Sequence, residues 1–168
     1  MSQLAVYGTA IGFGFVAWGL VTAHYIWPAL RGRSRADALR PLLLLHCFRF
    51  IGLAFVVPGV VSPDLPAAFA GPAAYGDLMA AVLAVLASAA GLQTKLGIAL
   101  VWIFNLWGTG DLLYAFYQGN RVGLEPGQLG AAYFIVIALV PLLFITHGLV
   151  FRLLLRGNVL DAAPGRTR

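Results

Sequence analysis

Apolar residues run along this chain in five long stretches, each separated from the next by a short segment rich in glycine, proline or charge. The stretches cover about 4–27, 42–61, 73–92, 96–117 and 129–155. Each is close to the ~20 mostly apolar residues that cross a bilayer. Backbone in lipid has to satisfy its own hydrogen bonds, so the pattern predicts helices rather than isolated strands. The expected fold is all-α, a polytopic membrane protein: one domain over 1–168, a bundle of five transmembrane helices.

Composition supports this reading. Hydrophobic residues make up 61% of the chain and charged residues 10%, with a mean hydropathy of +0.88. Soluble domains carry about a quarter charged residues, so this chain has too few to cover a water-facing surface. The first apolar run has no basic residue before it and exceeds the length of a signal-peptide core, so it reads as a span. The net charge of +5 sits at the ends of the runs and in the tail, where membrane topology explains it. The expected partner is therefore the lipid bilayer and not nucleic acid. Cys47 stands alone, which excludes an internal disulfide and a multi-thiolate metal site.

The connecting segments orient the bundle. The first holds Arg31, Arg33, Arg35 and Arg40, and the third holds Lys95. The tail holds Arg152, Arg156, Arg166 and Arg168. The second segment has no lysine or arginine, and the fourth has Arg121 beside Glu125. Positive-inside counting puts the N-terminus outside and the C-terminus in the cytoplasm, and the expected location is a bacterial inner (cytoplasmic) membrane. Gly8, Gly12 and Gly19 predict a close helix contact on the first span, and Ala80, Ala84, Ala87 and Gly91 on the third. Such faces suit self-association or a membrane-protein partner. Pro72 marks a helix start, and Pro141 predicts a kink in the fifth span.

Polar residues inside these runs carry the candidate chemistry, because they are costly there without a partner or a cavity. Counting ~1.5 Å per helical residue from the basic ends puts His24, His46 and His147 about 7–11 Å inside the cytoplasmic edge. They lie on three different spans, and the chain has no other histidine. Neutral imidazole ligates haem iron, zinc and copper. The pattern points to a b-type haem held by histidines from this layer, with Arg49 or arginines of the first connecting segment meeting the propionates. A transition metal ion on the same three histidines is the alternative. The plainer reading is that each histidine bonds a carbonyl, a tyrosine or interfacial water.

A second layer, Asp77 and Asp111, falls about 7–10 Å below the outer surface by the same count. Two carboxylates near each other in a low dielectric cannot both stay cheaply ionised, which suits a proton or cation site. Pairing with Arg49 or Arg121 is the structural alternative. Arg49 and Asn105 lie between the layers.

Three functions follow as expectations. The first is a small haem- or metal-binding redox or electron-transfer protein using the histidine layer. The second is a proton- or cation-coupled transporter or channel for a small solute, with a polar path through Asp77, Asp111 and Asn105. The third is an assembly or scaffold protein whose polar residues only specify helix packing.

Overall fold

The computed structural model describes residues 2–156; Arg166 and Arg168, two of the tail arginines used for orientation, lie outside the described residues. Five helices are long and apolar enough to cross a membrane: α1 (Gln3–Arg31), α2 (Arg35–Val56), α3 (Ala67–Ala89), α4 (Lys95–Arg121) and α5 (Ile135–Leu155). Hydroxyl caps start three of them. Ser2 accepts from the Ala5 amide, Ser34 from Asp37 and Thr94 from Gly97, each satisfying an amide the first turn leaves free.

The helix ends differ from the sequence expectation where side chains replace backbone partners. Pro72 lies inside α3, not before it. Its missing N–H leaves the carbonyl four residues back, on Ala68, without its helical donor. The Gln118 side chain of α4 donates to that carbonyl at 3.3 Å. The fifth helix begins later than 129. Pro126–Ala132 forms a separate 3₁₀ turn in which Gly130 has a positive φ of 52°. There the Ala131 amide donates to the Val60 carbonyl at 2.8 Å, and the Ser62 amide to the Gln128 carbonyl at 3.0 Å, which fastens two loops together.

The disturbance expected at Pro141 takes the form of a π-turn over Ile135–Leu139. The Trp18 indole donates to the Ala138 carbonyl at 2.8 Å. Gly14 lies against the Ile137 carbonyl, which Pro141 has no N–H to bond. Gly14 is therefore the close-contact glycine of α1. Gly8, Gly12 and Gly19 have nothing within 4 Å of where a side chain would begin. Small-residue spacing marks a stripe on a helix, but it does not say which side a neighbour approaches. On α3 the stripe is used: Ala80, Ala84 and Ala87 are fully buried.

The most unusual element is the second half of α2. From Cys47 to Val56 it is wound as a 3₁₀ helix, far longer than the 3–4 residues at which such runs usually stop. At three residues per turn, side chains three apart stack in one line. The buried residues here are His46, Arg49, Gly52 and Phe55, which follow that period. This line faces α3, α4 and α5. On one side of it lies an apolar core of Leu39, Leu43, Val101, Phe104, Val150 and Leu153. On the other lies a second core around Phe55, Phe69, Ala74 and Leu129. The polar residues are sandwiched between the two.

Candidate functional site

Arg49 is 1% exposed, and its guanidinium meets groups from three helices. Nε–H donates to Asp77 Oδ1 at 2.7 Å. Nη2 lies 2.7 Å from the same oxygen and donates to Asp111 Oδ2 at 2.6 Å. Nη1 donates to the Gly108 carbonyl at 3.2 Å and to His147 Nε2 at 3.0 Å. Each nitrogen of the guanidinium thus has at least one acceptor, as a buried arginine requires.

The arginine fixes the histidine beside it. A guanidinium has donors only, so His147 Nε2 accepts and the ring proton sits on Nδ1. That proton goes to Asn105 Oδ1 at 2.7 Å, and Asn105 Nδ2 donates back to the His147 carbonyl at 3.3 Å. His46 lies alongside, with ring centroids 4.2 Å apart. Thr146 Oγ1 is 3.0 Å from His46 Nε2 and donates to a carbonyl of the preceding turn, Leu142 or Leu143. It therefore accepts from His46 Nε2–H, leaving the lone pair on Nδ1. That buried atom has no hydrogen-bond partner among the described residues. Phe104 closes the pair from below, 5.0 Å from one ring and 5.2 Å from the other.

Three glycines make room for these side chains. A Cβ at Gly52 would collide with the Asp77 carboxylate, and one at Gly76 with that of Asp111. At Gly108 it would stand 2.6 Å from His147 Cε1 and 2.7 Å from Arg49 Nη1. Asp77 and Asp111 in turn form part of the wall of a cavity of about 370 Å³. The rest of its lining is mostly apolar and includes Tyr7, Phe55, Phe69 and Phe116, with Leu4, Asn120 and Leu124 towards the loops.

Residues 6–155 match the family model of a domain of unknown function, DUF8737. The chain belongs to the DUF8737 family. The match runs from within α1 to the end of α5 and takes in every residue of the cluster. No curated protein and no solved structure matches.

In this DUF8737 chain the three histidines do not meet. His24 is exposed on α1, within a π-turn over Thr22–Ile26, while His46 and His147 are buried together. Depth along a helix says nothing of rotation about it, and the rotation of α1 turns His24 away. The buried pair does not fit a haem clamped between histidines. Rings with centroids 4.2 Å apart leave no space for a porphyrin, and both His147 nitrogens are already engaged. Nor is Arg49 free for propionates. Among the described residues no group of three or more His, Cys, Asp or Glu side chains is placed to hold a metal ion.

Arg49, Asp77, Asp111, Asn105, His46 and His147 do converge. Sequence reasoning missed Thr146, Gly52 and Gly76. A signal for the glycines was present: Gly52 stands three residues from Arg49, and Gly76 next to Asp77. Asn105 is the support whose loss is most easily read. Asn105→Leu is expected to cost about 1–3 kcal/mol, because the buried His147 Nδ1–H loses its acceptor. Thermal unfolding of the detergent-purified protein measures it.

Proposed function

We propose that this chain is an integral membrane protein of five spans that moves a small solute coupled to a proton or another cation, through a site at Asp77 and Asp111. Arg31, Arg33, Arg35, Arg40, Lys95, Arg152 and Arg156 gather at one end of the spans, which supports an outside N-terminus, a cytoplasmic C-terminus and an inner-membrane location. On that orientation the cavity opens outwards. The core of Leu39, Leu43, Val101, Phe104, Val150 and Leu153 lies on the cytoplasmic side and favours alternating access over an open channel.

The observation that carries this reading is the charge balance at the cavity floor. Two carboxylates converge on one guanidinium, so with both acids ionised the cluster has one more negative charge than positive. A buried surplus charge is costly, and a proton or cation arriving from the cavity removes it. Cation-driven uptake into liposomes holding the purified protein is the test. Asp111→Asn is expected to lower it by on the order of tenfold or more, since one charge about 5 Å from a bound cation is worth ~3 kcal/mol at an effective dielectric of ~20. Undiminished flux in that variant would rule the reading out.

One observation favours the scaffold alternative. Every Arg49 nitrogen is engaged within the cluster, as suits a pair that only fixes helix register. Under that reading the wild type shows no flux in liposomes, while Asp111→Asn still weakens the fold.

A further inference from the structure

The cavity at Asp77 and Asp111 offers one kind of chemistry to whatever enters it. Every Arg49 nitrogen is engaged inside the cluster and the side chain is buried, so the guanidinium is poorly placed to bind an anion or a carbonyl entering the cavity. Asp77 Oδ2 and Asp111 Oδ1, in contrast, have no hydrogen bond among the described residues, since only Oδ1 of the first and Oδ2 of the second are engaged. Asp77 and Asp111 both line the cavity, so with both acids ionised the cluster presents it with carboxylate groups and a surplus negative charge.

The remaining wall selects among cations. A small metal ion needs several oxygen ligands around it, and beyond the two acids the described wall offers only the Asn120 amide and the Tyr7 and Tyr117 hydroxyls among rings and aliphatic groups. Tyr7, Phe55, Phe69 and Phe116 line the space, and aromatic faces attract ammonium groups while covering apolar bodies. A volume of about 370 Å³ lies in the range of small-molecule sites. Asp111 also lines a second hollow of about 880 Å³, the groove between α3 and α4 that includes Tyr75, Met79, Leu106 and Trp107. These four side chains are exposed on the outer face of the bundle. On the membrane reading that groove faces lipid, so a solute dissolved in the bilayer reaches the same carboxylate.

We infer that the cavity binds a lipophilic organic cation, its charged group against Asp111 and Asp77 and its apolar body against the aromatic wall. This rests on the site reading above and names its ligand class.

The test uses the full chain in lipid nanodiscs and equilibrium dialysis of labelled benzyltrimethylammonium, a fixed cation that cannot trade its charge for a proton. Empty discs provide the blank. Saturable binding is expected, weakened on the order of tenfold or more in Asp111→Asn. Neopentylbenzene, the neutral carbon analogue of the same shape, should not displace the label. Ala115→Phe, which fills the cavity and leaves both acids in place, should abolish binding even where Asp111→Asn fails to fold. No saturable binding, equal binding in Asp111→Asn, or displacement by neopentylbenzene as efficient as by unlabelled cation would each overturn the inference. Charge-dependent binding without flux would leave the inference standing and remove the transport reading. Asp111-dependent flux without binding would do the reverse.

Discussion

Arg49→Met should lower stability by about 3–5 kcal/mol, the loss typical when one partner of a buried ion pair is removed. Methionine follows much of the arginine stem, so the cost comes from what is left behind rather than from a cavity. Asp77 Oδ1 and Asp111 Oδ2, both held within 2.7 Å of one nitrogen, would face each other without a counter-charge. His147 Nε2 and the Gly108 carbonyl would lose their donor as well. Thermal unfolding in detergent measures the effect. Arg49→Met combined with Asp77→Asn and Asp111→Asn removes both stranded charges and should recover more than half of the loss. A triple variant no more stable than the single one would mean that packing, not charge, is responsible. Arg49→Lys keeps the charge but not the planar fork, so it is expected to fall between wild type and Arg49→Met.

Gly108→Ala is expected to destabilise the protein, and Gly110→Ala, two residues away on the same helix, to be neutral or slightly stabilising. The new methyl at 108 would press on His147 Cε1 and Arg49 Nη1 at 2.6 and 2.7 Å. Those atoms are side-chain ends, which usually move aside cheaply. Here both side chains are buried and held by hydrogen bonds, so overpacking should cost about 1–3 kcal/mol. At Gly110 a Cβ meets nothing within 4 Å, and alanine in a helix interior gains roughly 0.5–1 kcal/mol over glycine. Comparing the two unfolding midpoints separates crowding at the cluster from the general helix preference. Equal midpoints would contradict the close approach of α4 to the arginine.

The helices were legible because an apolar run of about 20 residues has few other uses. The convergence of Arg49 with Asp77 and Asp111 was legible in part, since such charges are costly in apolar runs without partners. What sequence could not give was rotation. His24, His46 and His147 lie at similar depth by count, yet α1 presents His24 outwards while α2 and α5 bring the other two together. The glycines of α1 show the same thing: the regular stripe at Gly8, Gly12 and Gly19 faces no helix, and Gly14 meets α5. Pro72 was read as a boundary because its local effect is to break a helix. A side chain 46 positions further on, Gln118, takes the vacated carbonyl, and no local rule contains that.

The winding of Cys47–Val56 ties the geometry of the cluster to the length of one segment. At ~3 residues per turn, His46 and Phe55 come back to the same bearing after nine steps. Wound as an α-helix at about 100° per residue, they would point to opposite sides, and the ten-residue segment would be ~5 Å shorter. Relative to His46, Arg49 would turn by about 60° and Gly52 by about 120°. The reach of α2 and the bearing of its arginine are therefore one variable: whatever shortens this segment also rotates the positive charge away from its acids.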